Sequence, residues 1–139
     1  MFSKMYDVNE GHIDFQEVVD GLYYPFYMEW ERHAFMKEAL GIDIEGEFSQ
    51  GRIYMALEYS LRFRQSLKKG DRMEVTCQLE KNVKRNRVNF YQQIRVEGVI
   101  CAEATFTATC LFNGRPSMPE AVMNALAFCP PHPARRFRE

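Results

Sequence analysis

A chain of 139 residues is long enough to bury a real core without staples, and it leaves no room for a second domain. Its formal net charge of −1 offers no global attraction to nucleic acid or to an anionic membrane, so a polyanion-binding protein is not the expectation. Aromatic residues make up 14% of the chain and gather in the helix-like and strand-like stretches, which reads as core first and as ligand pocket second.

Residues 2–13 carry a weak period-two signal through Tyr6 and Val8, which predicts a first strand despite Asn9, Glu10 and Gly11. The stretch 14–19, DFQEVV, connects it to the one long helix of the chain, from about Gly21 to Leu40. Asp20 is the candidate N-cap, Pro25 falls in the first turn, and Gly41 ends the helix. Tyr23, Tyr27, Trp30 and Ala34 recur at i, i+4, i+7 and i+11, and Leu22, Phe26, Met28, Phe35, Met36, Ala39 and Leu40 carry the apolar surface further round. Only Glu29, Glu31, Arg32, Lys37 and Glu38 plainly favour water, so the helix should be wrapped by a sheet.

Residues 42–51, with acidic side chains and glycine, read as a loop. From Arg52 the alternation is strict: Ile53, Met55, Leu57, Tyr59, Leu61 and Phe63 point one way, which predicts a long strand with a single buried face. After the Lys68–Asp71 turn, Met73, Val75, Cys77 and Leu79 mark the next strand, which ends near the basic turn Lys84-Arg85-Asn86-Arg87. Val88, Phe90, Gln92, Ile94 and Val96 follow, and Glu97-Gly98 predicts a hairpin into a strand on which Ile100, Ala102, Ala104, Phe106, Ala108 and Cys110 share a face. Its alanines would let a helix lie close to the sheet. Residues 119–126 suggest one short helix, and 128–139 a flexible tail rich in proline and charge; the domain proper is 1–127.

Cys77, Cys101, Cys110 and Cys129 show no CxxC spacing and no histidine partners, so no metal site is expected and a reduced, cytoplasmic protein is. No apolar stretch is long enough to cross a bilayer, and the N-terminal MFSKMYDVNEGH lacks the continuous apolar run of a secretory signal.

The order strand, long helix, four antiparallel strands, together with FSKMYDVNEGHIDFQEVVDGLYYPFY and LEYSLRFRQSLKKGDRMEV, resembles the hotdog fold, and within it the 4-hydroxybenzoyl-CoA thioesterase-like branch of acyl-CoA thioesterases. The resemblance covers residues 2–118. It implies an α+β domain in which a five-stranded antiparallel sheet wraps one central helix. In that branch the first strand ends in an aspartate, and a tyrosine, an aromatic and an acidic residue open the helix; Asp14, then Tyr24, Tyr27, Met28 and Glu29, take those places without a gap. The family usually has a glycine three residues past the aspartate, and often an asparagine or aromatic three further on; here these are Glu17 and Asp20, which add negative charge beside the site.

Thioester hydrolysis needs a carboxylate to attack or to activate water, and donors for the developing oxyanion. The resemblance assigns these roles to Asp14 and to the backbone N–H of Gly21, and makes Tyr24 a substrate-binding candidate; helix-start N–H groups suit an oxyanion on physical grounds as well. Asp7, ahead of a Gly-His pair, is a competing carboxylate in another register, and Glu29 is expected to pair with His33 or Arg32. His12 is at most an indirect partner of Asp14. Arg62, Arg64, Lys84, Arg85 and Arg87 fall at strand ends, and Arg85 and Arg87 are the candidates for the phosphates of coenzyme A. The expected function is hydrolysis of an acyl-CoA or acyl-carrier thioester, with coenzyme A as part of the substrate and no other cofactor, in a homodimer or homotetramer. A hydratase lacks its histidine-carboxylate motif here; the alternative is a non-catalytic hotdog module that binds an acyl thioester or serves as a scaffold.

Overall fold

The computed structural model describes residues 1–129, so the expected tail lies, beyond Cys129, outside the described residues. Strand β1 (Phe2–Asp7) is followed by a 3-10 turn at Glu10–His12, the long helix α1 (Tyr23–Leu40) and a short helix α2 (Ile44–Phe48). Then come β2 (Arg52–Phe63), β3 (Arg72–Lys81), β4 (Arg87–Val96), β5 (Val99–Phe112), the two-residue β6 (Arg115–Pro116) and helix α3 (Glu120–Leu126). The long strands form one antiparallel sheet in the order β1-β3-β4-β5-β2, with β6 paired to β5, and the sheet curls around α1. The expected architecture is present.

Both ends of α1 follow from local chemistry. The Asp20 side chain accepts the Leu22 N–H at 2.9 Å, so it caps a turn just ahead of the helix, which begins at Tyr23, two residues later than expected. Pro25, third residue of the helix, has no N–H for an earlier carbonyl to miss. At the other end Gly41 takes φ +69°, its N–H reaches the Lys37 carbonyl, and the Ile42 N–H reaches the Met36 carbonyl at 2.9 Å. Ile42 is thereby turned into the core.

The buried stripe of α1 is Tyr24, Tyr27, Met28, Glu31, Phe35 and Met36, rotated from the expected Tyr23-Tyr27-Trp30-Ala34 line. Phe26 and Trp30 are partly exposed, and Leu22 is 81% exposed. Against this stripe β3, β4 and β5 set Met73, Val75, Cys77, Leu79, Phe90, Ile94, Ala102, Ala104 and Phe106, all buried. Ala102 and Ala104 are fully buried in this core, as are Tyr27 and Met28 of the helix.

Two strands depart from strict alternation. In β2 the register against β5 slips between Ala56 and Glu58, a β-bulge at Leu57. Before the bulge Tyr54 and Ala56 lie opposite Cys110 and Ala108 on the helix side; after it Tyr59, Leu61 and Phe63 lie opposite Phe106, Ala104 and Ala102. Ile53 and Met55 therefore belong to the outer face, and the expected single apolar face from Ile53 to Phe63 is split. A second slip, between Ile94 and Arg95, pairs Arg95 with Ile100 and takes Ile100 off the face of Ala102, while Cys101 is buried instead. The Glu97-Gly98 hairpin forms as expected, with φ +49° and +80° closing the pair Val96 and Val99. Residues 42–51 are not all loop, because α2 fills part of the span and Tyr54 donates to Glu47 of that helix at 2.9 Å.

Candidate active site

Strand β1 ends at Asp7, and Asp14 stands beyond the 3-10 turn, so the first strand does not run on to the site carboxylate. What holds Asp14 is a small loop of its own. Its N–H reaches the Val18 carbonyl at 2.9 Å, Glu17 N–H returns to the Asp14 carbonyl at 3.0 Å, and Ile13 pairs with Val19 across the neck. The Asp14 Oδ1 accepts the Gln16 N–H at 2.8 Å, which fixes the carboxylate and leaves Oδ2 without a partner among the described residues. Val19 is buried and its N–H is bound by the Leu67 carbonyl at 2.8 Å, which ties the loop to the chain after β2.

That loop closes through Glu17 at φ +65°, the left-handed conformation in which a Cβ is crowded. The resembled family's glycine at this place would take it without strain. Replacing Glu17 by glycine is expected to raise the urea midpoint, with a gain of about 1 kcal/mol, offset in part by the freer unfolded chain. An unchanged or lowered midpoint would mean that Glu17 makes a compensating interaction.

Asp14, Val18, Val19, Gly21 and Tyr24 line one open cleft with Phe63, Arg64, Gln65 and Ser66. Gly21 lies two residues ahead of α1, in the turn that leads into it, and its N–H has no acceptor among the described residues. A Cβ on Gly21 would stand 3.3 Å from the Phe63 ring, so a bare backbone here keeps the cleft wall open. Tyr24 contributes its ring, edge-on to Phe63 at 5.0 Å between centroids, but its hydroxyl is spent inside the protein, accepting the Leu67 N–H at 2.8 Å. Burial pushes that phenol's pKa up.

The other expected residues are elsewhere. Arg85 and Arg87 line a separate groove with Met118, Met123 and Leu126. Arg87 lies opposite Thr109 on β5, whereas Phe63 of the cleft lies opposite Ala102. Seven residues of strand separate these levels, about 23 Å. Within one chain Arg64 lines the cleft with Asp14, its Nε 3.6 Å from Glu103 Oε2. The sequence carried a signal for it, since Arg64 follows the last alternating residue of β2, but its position was set by a bond from its N–H to the Cys101 carbonyl that periodicity does not show.

Asp7 is 87% exposed in its side chain, 3.9 Å from Arg72 at the strand end, and shares no cleft with Gly21. Glu29 forms no ion pair with His33 or Arg32 among the described residues; all three line a pocket between α1, α2, β2 and α3. His12 shares a 2.6 Å hydrogen bond with the Tyr27 hydroxyl and stacks on Tyr23 at 3.8 Å. Its carbonyl accepts the Asp20 N–H at 3.0 Å, so it braces the helix start.

A long helix wrapped by a curled antiparallel sheet is the hotdog arrangement. Residues 8–126 match the model of the thioesterase-like superfamily, and the chain belongs to that family. Among solved structures it is similar to a hypothetical protein from Thermus thermophilus, with 25% identity, a TM-score of 0.80, and coverage of 90% of this chain and 96% of that one. It is similar in fold to a 1,4-dihydroxy-2-naphthoyl-CoA thioesterase from Synechocystis, with 15% identity, a TM-score of 0.81, and coverage of 91% and 96%. A Staphylococcus aureus protein solved in complex with CoA is similar as well, at 16% identity and a TM-score of 0.80, with coverage of 91% and 81%. No curated protein matches the chain by sequence. No helix among the described residues is long and apolar enough to cross a membrane.

Proposed function

We propose that this thioester hydrolase acts on an acyl-CoA, with Asp14 as the nucleophile or water-activating base and the Gly21 N–H as the oxyanion donor. The observation that carries this reading is that a carboxylate with one free oxygen and an unpaired N–H in the turn leading into α1 line the same cleft. As a base, the carboxylate takes a proton from water as that water attacks the thioester carbon, and the proton passes to the leaving thiolate; as a nucleophile, it attacks the carbon itself, the thiolate leaves and takes a proton from solvent, and water then cleaves the mixed anhydride to free the acid and restore Asp14. In either route the carbonyl oxygen gains charge and is met by the Gly21 N–H. The chain's own groups suffice for this sequence, with no cofactor besides the coenzyme A of the substrate. The related protein solved with CoA supports coenzyme A over a carrier protein as the thiol. Four free cysteines, three of them buried, support a reducing compartment such as the cytoplasm.

We infer further that the working unit is a homodimer built on β2. This strand is a free edge of the sheet, twelve residues long, and Ile53, Met55, Leu57, Tyr59 and Phe63 along it are 39–57% exposed. An uncovered apolar edge of that length is a template for another strand. Antiparallel pairing with the same strand of a second copy would bring the Arg52 end of one against the Phe63 end of the other, and with it the Arg85-Arg87 turn toward the partner's Asp14 cleft. The two halves of the site that stand about 23 Å apart in one chain would then serve one substrate. Sedimentation velocity at micromolar concentration is expected to show a dimer or a dimer of dimers, and Leu57→Lys to shift it toward monomer with loss of turnover. A monomeric wild-type protein that hydrolyses thioesters would refute the shared site.

A screen of acyl-CoA chain lengths and aryl-CoA compounds tests the activity itself. Release of free thiol from at least one of them, well above the rate in buffer, is expected; none from any would leave a binding module.

A further inference from the structure

Arg32 is a cation inside the helix-sheet interface without an ionic partner. Its guanidinium carbon lies 3.9 Å from the centroid of the Phe106 ring, and Nη1 donates to Gln92 Oε1 at 3.1 Å. Gln92 is fully buried, and its amide nitrogen donates to the Met28 carbonyl at 2.9 Å and the Thr76 carbonyl at 3.3 Å, so its oxygen is held toward Arg32. Among the described residues no carboxylate comes within ion-pair distance of the guanidinium. Burial lowers its pKa, against the weaker opposing pull of Cys77 and Glu29. A guanidinium has five N–H donors; one neutral acceptor and one ring face leave the rest for something else. A desolvated cation with no anion is costly, and a bound anion removes that cost.

The surroundings say what form the anion would take. Arg32 lines the pocket between α1, α2, β2 and α3, whose remaining walls are mostly apolar, among them Met36, Ile44, Val88, Phe90, Ala108 and Val122. About 130 Å³ is open to a ligand there, near the size of a cavity that holds one benzene ring. Of the polar groups around it, the Tyr54 hydroxyl is committed to Glu47, and Glu47 also faces Arg52 at 3.4 Å, so neither competes for Arg32. Glu29 is exposed at the same pocket, and its charge opposes an anion there, screened by solvent, while the Arg32 guanidinium favours one. A short, mostly apolar chamber with one half-buried guanidinium at its wall complements a short acyl group with an apolar middle and an anionic end.

We propose that this pocket takes the acyl group of the thioester and that Arg32 makes it selective for acyl groups that carry a terminal carboxylate. The inference rests on the thioesterase reading for the identity of the ligand, and on the β2 pairing to bring a partner's cleft beside the pocket.

Binding and turnover separate the two claims. Calorimetry with non-hydrolysable thioether analogues of glutaryl-CoA and adipyl-CoA, against those of the uncharged valeryl-CoA and hexanoyl-CoA, reads Arg32 whether or not the protein hydrolyses anything. The wild-type protein is expected to bind the carboxylated member of each pair about tenfold or more tightly, the worth of one charge-assisted bond. Arg32→Met should abolish that ratio, and Arg32→Lys should keep part of it. Equal or weaker binding of the carboxylated analogues by the wild type overturns the proposal without any variant, as does an undiminished ratio in a folded Arg32→Met. A carboxylate preference in binding with no hydrolysis of any CoA thioester would instead leave the selectivity standing and remove the thioesterase reading.

Discussion

Asp14→Asn is expected to lower kcat on the best thioester by at least about a hundredfold, with a much smaller change in substrate binding. The substitution isolates the chemistry, because the amide oxygen of asparagine can still accept the Gln16 N–H that fixes the side chain. The loop from Asp14 to Val19 is otherwise held by backbone bonds and by Val19 in the core, so circular dichroism and the urea midpoint should barely change. What is lost is the charge on the free oxygen that faces the cleft with the Gly21 N–H. Two controls locate the effect. Asp7→Asn removes an exposed carboxylate at a strand end, and Glu17→Gln neutralises an exposed one that is not on the cleft wall; each should hold kcat within a few-fold. Near-normal turnover by Asp14→Asn, with activity abolished by either control, would move the site to another carboxylate.

The fold was readable because most of its determinants are local. Alternation gave β3 and β4, Glu97-Gly98 gave the hairpin, and Gly41 gave the end of α1, each through a backbone requirement that one or two residues meet. The errors share a different origin. The bulge at Leu57 leaves the pattern Ile53 to Phe63 unbroken in sequence while exchanging the faces in space, because a bulge is a property of the pairing with Ala108 and Thr107 on β5. The helix rotation and the burial of Glu31 are likewise set by which face the sheet covers, not by the helix's own spacing. For the site, Asp14 and Gly21 are close in sequence and fall in one cleft, whereas Arg64 reaches it only through the β2-β5 pairing. Arg85 and Arg87 stand at the far end of the sheet, and no pattern within one chain shows what a second copy would bring beside them.

Replacing Glu31 by glutamine is expected to stabilise the protein in alkaline solution and to cost it about 1 kcal/mol in strong acid. Glu31 lies on the sheet side of α1 and is fully buried. The Tyr6 hydroxyl donates to Oε1 at 3.0 Å, and Oε2 has no hydrogen-bond partner among the described residues. Burial raises its pKa from 4.5 to about 7, against the Tyr6 hydrogen bond and the charge of Lys4, while Glu38 adds to the rise. Lys4 and Glu38 are themselves paired at 2.7 Å on the surface, and Cys77, whose thiol is also pushed up by burial, faces the carboxyl from β3. The sign follows from linkage. A carboxyl that holds its proton more tightly folded than unfolded contributes fully below the unfolded value of 4.5, and that contribution is lost as pH rises through about 7. The span corresponds to about 3 kcal/mol. Glutamine is neutral throughout and its oxygen can keep the Tyr6 bond, while its buried amide hydrogens, lacking acceptors, give back about 1 kcal/mol. Urea denaturation should therefore show the variant more stable than wild type by about 2 kcal/mol at pH 8.5, with the advantage gone near pH 4.5. Stability curves that run parallel from acid to alkaline pH would show that Glu31 does not titrate between these limits, and would place a partner on Oε2.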